Sequence, residues 1–324
     1  MDDMITCKVC GHTEMLTKKF KCSHCGAVNW GIVVPKKKNG CITEIIIGIV
    51  FIAGILGYNK YKEYHETHWS QARIEKTYAN NLVPVYHEYV YELFFDDPNE
   101  EPIYFVRKED GEFEQWKKGM QPNSVSGCGL LTGAEGTCIT TRNITRPHIG
   151  SWDLIGLRRQ VLIMREMFNI RSGGHYSIFT VKLGYYQPGQ KMNESSAFCS
   201  CKEGDGWAEG IYQLTPINNP GQQTAITPLS VTAAPNNLLP GNVIYVMSFD
   251  MPLNTTLSPA PLIGLSAITA ALRSDVGDYI FTYTVSTPIP LEGSPVISEA
   301  GKVIGFTSFD STGKMRGVGF GMGE

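Results

Sequence analysis

The sequence lacks a strong excess of either charge. Its 324 residues contain 28 Lys and Arg against 31 Asp and Glu, so composition gives no indication of nucleic acid as a general partner. Long stretches with helical periodicity are also few, whereas there are 34 glycines and 18 prolines. This balance favours a β-rich body, and the length allows two or three domains.

Cysteine is sparse over most of the chain but concentrated at its start. Two Cys-x2-Cys pairs, separated by eleven residues, have the spacing with which four thiolates surround one Zn²⁺. We therefore predict a zinc ribbon over residues 1–31 with a structural Zn²⁺ and no open coordination position. Thiolates that bind a metal also imply a reducing compartment. The predicted ligands are Cys7, Cys10, Cys22 and Cys25.

A basic linker, residues 32–41, leads into an apolar run at residues 42–58. The run is long enough for a transmembrane helix, with a buried helix of a soluble protein as the alternative. Net charge is +4 over residues 1–40 and −5 over residues 59–120, so the positive-inside rule places the N-terminus in the cytoplasm. The sequence thus predicts a single-pass membrane protein whose C-terminal domain is extracytoplasmic, periplasmic or extracellular.

Residues 36–44 also resemble a type IV prepilin processing site, in which cleavage after Gly40 leaves Cys41 as the first mature residue. The glutamate of that site falls at the fourth mature position, Glu44, instead of the fifth. A basic flank before a spanning helix explains the same residues, so the processed envelope protein stays an alternative.

Residues 59–96 carry tyrosines and apolar residues at loosely helical spacing, and we predict a stem helix with a break near Pro84. Beyond residue 97 the pattern changes to short strands. Residues 102–108 and 112–117 flank a turn at Asp110 and Gly111, and residues 295–298 and 302–306 flank a turn that ends at Gly301. Both patterns predict β-hairpins.

The loop at residues 290–296 resembles the nucleophile loop of trypsin-like serine proteases, and residues 126–144 resemble the segment that carries their catalytic histidine. Among these proteases, the sequence pattern most resembles that of the Deg-type, or high-temperature-requirement, family. Shorter matches follow in the same order at residues 176–183, 239–246, 264–266 and 317–320. The resemblance implies a mainly β fold, a trypsin-like double antiparallel β-barrel over residues 97–324. Its predicted parts are barrel one at about 97–192, an insertion at 193–223 and barrel two at about 224–324.

The resemblance also places the catalytic positions. The nucleophile position holds Glu292, the histidine position Asn143 and the triad-acid position Ser177. Pro290 stands where a backbone N–H completes the oxyanion hole, and proline has none. An asparagine cannot accept and return a proton near neutral pH, and a glutamate offers no activated hydroxyl. These residues predict that the chain is not an enzyme.

The resulting functional hypothesis is a pseudoprotease that binds or scaffolds a protein of the cell envelope or membrane through the cleft between the barrels. A cytoplasmic protein is a candidate partner of the zinc ribbon, and no nucleic-acid partner is expected. The alternative is a divergent serine-type peptidase with a different catalytic arrangement. Candidate residues for that alternative are Ser294, His148 and His175.

The remaining cysteines lie in the body of the chain. Cys128 and Cys138 fall on two neighbouring predicted strands, and in an oxidising compartment we predict a cross-strand disulfide between them. Cys199 and Cys201 lie in the predicted insertion, where pairing with each other, pairing elsewhere and redox activity all stay open.

Overall fold

The computed structural model divides the chain into two units, Met1–Tyr64 and His65–Glu324. Within these units the structure describes residues 4–15, 22–27, 40–133, 135–168, 173–186, 196–201, 206–208, 210–217, 239–249, 261–273, 279–285 and 290–320. Most of the predicted basic linker, residues 32–39, lies outside the described residues.

The first unit contains a small hairpin and the start of a long helix. Strands β1 (Met4–Thr6) and β2 (Thr13–Met15) pair antiparallel, and helix α1 spans Gly40–Thr67. This helix covers the run predicted to cross a membrane and continues through Lys60, Lys62 and Glu63. Within the part of the chain that the structure describes, no helix is both long and apolar enough to span a bilayer. The prediction of a single-pass membrane protein is therefore wrong.

The predicted stem helix is also wrong over most of its length. Helix α2 (Gln71–Tyr78) is short, and the Ser70 side chain caps it by accepting a hydrogen bond from the Arg73 N–H. Residues Leu82–Phe95 then form β3, a strand that is buried on both faces over most of its length. Valine and tyrosine fit such a strand because branched and aromatic side chains pack well on a pleated surface.

The first barrel is a closed ring of six antiparallel strands. It runs in the order β3, β6, β7, β11, β9 and β8, and β8 pairs back with β3. The β4–β5 hairpin extends β3, and β10 pairs with β11. The elements are β4 (Ile103–Arg107), β5 (Phe113–Gln115), β6 (Asn123–Leu131), β7 (Cys138–Thr141), α3 (Arg142–Thr145), α4 (Ser151–Phe168), β8 (Gly174–Tyr186), β9 (Ser196–Ser200), β10 (Gly206–Ala208) and β11 (Ile211–Pro216).

This ring corrects the predicted domain boundaries. Strands β9 and β11 lie within residues 193–223, which were predicted to be an insertion, yet the barrel does not close without them. The first strand of the ring, β3, lies before residue 97, where the barrel was predicted to begin.

The second barrel closes in the order β12, β13, β14, β17, β16 and β15. Its strands are β12 (Val243–Phe249), β13 (Pro261–Arg273), β14 (Tyr279–Val285), β15 (Pro295–Ser298), β16 (Val303–Phe309) and β17 (Met315–Gly319). Two six-stranded antiparallel barrels are the trypsin-like architecture, so the prediction of a mainly β, trypsin-like body is confirmed. The β15–β16 and β4–β5 hairpins lie where the turn residues predicted them.

An apolar cluster joins the two barrels. Cys128 and Ile139 of barrel one pack in it with Ile297 and Phe306 of barrel two, all of them fully buried. Burial of such side chains contributes about 1.5–3 kcal/mol each. This cluster fixes how the end of β7 and the loop before β15 face each other.

The cysteines of barrel one are free thiols, so the predicted disulfide between Cys128 and Cys138 does not form. Cys138 lies opposite Leu131 across the β6–β7 pair, three positions from Cys128. Side chains at an odd spacing point to opposite faces of a strand. Cys128 accordingly packs between the barrels, whereas Cys138 packs inside barrel one with Cys199.

Candidate functional site

The loop before β15 is held between the two barrels by its backbone. The Cys128 N–H donates to the Glu292 carbonyl at 2.7 Å, and the Gly293 N–H donates to the Thr307 carbonyl at 2.8 Å. Gly293 has a φ of +77°, and a Cβ there would lie 2.1 Å from the Cys128 carbonyl oxygen. Only glycine fits this position, because the backbone is left-handed and the approach leaves no space for a side chain.

On the opposite side of the site, β7 ends at Thr141 and the single turn of α3 carries Asn143. His87 of β3 holds this turn through a hydrogen bond to its backbone. The Nδ1 of His87 lies 2.7 Å from the Ile144 carbonyl oxygen, so Nδ1 carries the proton and donates it. The Nε2 then accepts a hydrogen bond from the Thr180 hydroxyl at 3.0 Å.

The Glu292 carboxylate meets these residues directly. Its Oε1 accepts a hydrogen bond from the Thr141 hydroxyl at 2.5 Å. Its Oε2 accepts one from the Phe309 N–H at 2.8 Å and one from the Asn143 Nδ2 at 3.2 Å. The Asn143 Nδ2 also lies 2.7 Å from the Phe309 carbonyl oxygen. A carboxylate and an amide from distant parts of the chain thus share one site.

Burial raises the pKa of the Glu292 carboxyl above its usual 4.5, because a low-dielectric surrounding disfavours the ionised form. Hydrogen bonds from Thr141, Phe309, Asn143 and Ser308 lower that pKa without cancelling the effect of burial. Glu292 and Asn143 are both half-buried residues. A partly exposed carboxylate with a raised pKa has the properties of a general base.

Two of the predicted triad positions therefore come together, and the third does not. Ser177 lies on β8 opposite Glu92, and its hydroxyl donates to the Glu92 Oε2 at 3.0 Å. Leu183, six residues further along β8, is the residue that faces His87. Six residues of a strand span about 20 Å, so Ser177 lies outside this site. Pro290 is buried at the start of the loop, as the sequence match placed it.

The alternative nucleophile and bases lie elsewhere. Ser294 is fully buried, and its hydroxyl contacts the Cys128 Sγ at 3.4 Å. Burial also raises the pKa of the Cys128 thiol to about 11, so the thiol stays protonated at neutral pH. His148 is exposed, and His175 is exposed with its Nε2 3.4 Å from an Asp96 carboxylate oxygen. Among the described contacts, none joins the Ser294 hydroxyl, the Cys128 thiol or either imidazole to the side chain of Glu292 or Asn143.

Sequence reasoning missed His87 and Thr141. His87 lies in the segment predicted to be a stem helix, and its partner is a backbone carbonyl, which no sequence motif marks. Thr141 directly precedes α3, two residues before Asn143, and its polar side chain is fully buried. A strand assignment for residues 82–95 would have drawn attention to a histidine on an inward face.

The N-terminal unit holds the predicted cysteine cluster. The four Sγ atoms of Cys7, Cys10, Cys22 and Cys25 lie within 4.8 Å of one another. The two knuckles have the same backbone pattern, in which the N–H of the glycine after each pair donates to the carbonyl of its first cysteine at 2.9 Å. The cluster is able to hold a metal ion.

No protein-family model matches the chain, and no curated protein matches it. Among solved structures, it is similar to an HtrA-type protease, AlgW with a decapeptide, with a TM-score of 0.41 and 11% identity over 78% of this chain and 64% of that one. It is also similar to Deg5, with a TM-score of 0.37 and 9% identity over 73% and 83% of the two chains. For the Rv3671c protease from M. tuberculosis in its active form, the TM-score is 0.41 and the identity 11%, over 78% and 80%.

The chain spans less than two thirds of the length of the AlgW structures that it matches. At these levels of identity the likeness concerns the fold. The similar structures are described as proteases, which goes against the prediction that the chain is not an enzyme, and the likeness itself assigns no activity to this chain.

Proposed function

We propose that the chain is a divergent peptidase whose reacting pair is the Glu292 carboxylate and the Asn143 amide. The observation that supports this most is their hydrogen bond at the junction of the two barrels, beside a carboxyl whose pKa is raised by burial. For water to attack a peptide carbonyl, the site needs a general base that takes a proton from the water and a donor that stabilises the oxyanion. Glu292 and Asn143 are these two groups in the proposal.

In the proposed reaction, Glu292 takes a proton from a water molecule, and the resulting hydroxide attacks the carbonyl carbon of the substrate peptide bond. The Asn143 Nδ2 donates a hydrogen bond to the oxyanion that forms. The protonated Glu292 then gives its proton to the leaving amine, the C–N bond breaks, and a carboxylic acid and an amine leave. One water is consumed and no covalent enzyme intermediate forms.

The other groups of the site hold the carboxylate in place. The Thr141 hydroxyl and the Phe309 N–H fix its two oxygens at 2.5 and 2.8 Å. The Asn143 contact is the longest of the three at 3.2 Å, so it is the one that a substrate carbonyl would displace. His87 is a positioning residue, because it holds the Ile144 carbonyl one residue after Asn143.

The substrate class is an extended protein segment. Recognition of such a segment through its backbone requires no particular side chain. The site itself contains the carboxylate and neutral amide and hydroxyl groups, and therefore suits a neutral peptide bond.

The test is hydrolysis of a mixture of unstructured peptides by the full-length protein, followed by mass spectrometry. We expect cleavage that Asn143→Ala reduces about 10²-fold, the effect of removing one oxyanion donor. Ser294→Ala serves as the control and should leave cleavage unchanged. A fluorophosphonate probe should label neither protein, since the proposed reaction has no serine nucleophile. Cleavage lost in Ser294→Ala, specific labelling, or no cleavage at any pH would each refute the proposal.

For the N-terminal unit, we propose that Cys7, Cys10, Cys22 and Cys25 bind Zn²⁺ as a structural ion. The Sγ atoms of Cys7 and Cys25 are 3.6 Å apart and those of Cys10 and Cys22 are 3.8 Å apart. Tetrahedral Zn–S bonds of about 2.3 Å imply separations of about 3.8 Å, so the cluster fits this ion. We expect one zinc per chain by elemental analysis, lost in Cys10→Ser and kept in Cys201→Ser. A metal-free wild type, purified with zinc present, would contradict this.

A further inference from the structure

The outer face of α4 is unusually apolar for a helix on the protein surface. Its inner face packs Leu157, Val161 and Met164 against the strands of barrel one. On the outside, large apolar side chains are exposed along the helix. They are Trp152 at 81%, Ile155 at 56%, Leu162 at 61% and Ile163 at 48%. Contiguous exposed apolar side chains of this kind mark interaction sites.

Two opposite charges flank the centre of this outer face. Arg159 and Glu166 are both exposed, and they lie seven residues apart, which is two turns, so they share one side of the helix. Arg159 lies three residues before Leu162, and Glu166 lies three residues after Ile163. The pattern of charge is therefore reversed about the midpoint between Leu162 and Ile163.

We infer that α4 forms a contact between two copies of this chain, packed antiparallel about a two-fold axis that passes between Leu162 and Ile163. In this arrangement Leu162 of each copy packs on Ile163 of the other. Arg159 of each copy faces Glu166 of the other, so the ion pair forms twice. A two-fold contact requires a self-complementary surface, and this arrangement of charges supplies one.

The same charges argue against other uses of the face. A helix that lies on an anionic membrane carries basic residues around its apolar side. Arg158 and Arg165 would suit that use, but Glu166 lies within the apolar face itself and would be repelled there. A shifted register centred on Arg159 would bring two arginines together. The face covers a few turns of one helix, which is at the low end of specific interfaces, so we expect dissociation in the micromolar range.

The first test is sedimentation of the full-length protein over concentrations up to ~100 µM. We expect a monomer–dimer equilibrium that Leu162→Asp weakens by about 30-fold, as loss of a central interface side chain does. Leu239→Asp is the matched control, because Leu239 is 63% exposed and lies outside α4. A monomer at all concentrations, or a dimer that Leu162→Asp leaves intact, would overturn the inference.

The second test uses the reversed charges. Arg159→Glu and Glu166→Arg should each weaken the dimer about 10-fold, because each places like charges opposite one another twice. The double variant Arg159→Glu/Glu166→Arg should restore the dissociation constant to within about threefold of wild type. If the double variant is as weak as the single variants, the two residues do not face each other and the antiparallel arrangement is wrong.

Discussion

Replacement of Glu292 by Ala and by Gln should have different effects on stability. In Glu292→Ala the Phe309 N–H and the Thr141 hydroxyl lose their acceptor, and the Asn143 amide loses one of its acceptors. A buried donor without a partner costs about 1–3 kcal/mol, and the hydroxyl can turn to another acceptor. The Asn143 amide keeps the Phe309 carbonyl oxygen and the Ser308 hydroxyl as acceptors. One buried donor, the Phe309 N–H, therefore remains, and we expect the free energy of unfolding to fall by about 2 kcal/mol.

Glu292→Gln keeps one carbonyl oxygen where Oε2 accepts from Phe309 and Asn143. Its amide nitrogen can donate to the Thr141 hydroxyl, which is both donor and acceptor. The expected loss is therefore only about 1 kcal/mol. Glu109→Gln, at an exposed position, is the matched control and should leave the free energy of unfolding nearly unchanged.

The stability of wild type and that of Glu292→Gln should also depend differently on pH. The pKa of Glu292 is raised in the folded state from its usual 4.5. The stabilisation from this group is therefore complete below pH 4.5 and is lost as the pH rises through the folded-state pKa. Glu292→Gln does not ionise there, so the difference in unfolding free energy between wild type and variant should shrink as the pH rises.

The measurement is urea unfolding of each protein, followed by tryptophan fluorescence, at a series of pH values from about 4 to 7. Equal losses for Ala and Gln would show that the hydrogen bonds to the carboxylate do not stabilise the fold. A wild-type advantage that grows with pH would show that the pKa of Glu292 is lowered in the folded state, and would contradict the proposed general base.

Two further stability predictions concern the supports of the site. Gly293→Ala should lower the free energy of unfolding in urea by about 3 kcal/mol or more, because its Cβ would meet the Cys128 carbonyl oxygen. Gly313 has a similar φ of +78° and no atom within 4 Å of a Cβ, so Gly313→Ala should cost only about 1 kcal/mol. Equal costs would contradict the close approach at Gly293. Burial lowers the pKa of His87 below 6.5, so wild type should lose stability as the pH falls from 6.5 towards the folded-state pKa, and His87→Gln should lack that loss. A pH dependence unchanged in His87→Gln would count against the buried neutral imidazole.

The sequence predicted the second barrel better than the first. Its hairpin at β15 and β16 is local, with a turn at Gly301 and β-branched residues on either side, so sequence pattern suffices. Strand β3 is different, because its partners β6 and β8 come later in the chain. Its valines and tyrosines favour a strand, but the helically spaced residues at 58–78 precede it directly and nothing in the segment marks those partners, so the predicted helix was extended through it.

The candidate site also depends on contacts between distant segments, which sequence pattern alone predicts poorly. Asn143 and Glu292 are 149 residues apart and meet in space, and only the order of family-like segments predicted that they would be neighbours. The match at Ser177 was too short to fix the register of β8, and a slip along a strand moves a side chain out of the site. His87 acts through a backbone carbonyl, so its role depends on packing alone.

The most direct test of the proposed function is the kcat/KM for one cleaved peptide in wild type and in Glu292→Gln, at a pH where both are folded. Gln fills nearly the same space and keeps two of the hydrogen bonds, but it cannot take a proton from water. We predict that kcat/KM falls about 10²–10⁴-fold, the usual contribution of a general base. An unchanged kcat/KM would show that Glu292 does not carry the reaction, and the proposed peptidase site would be wrong.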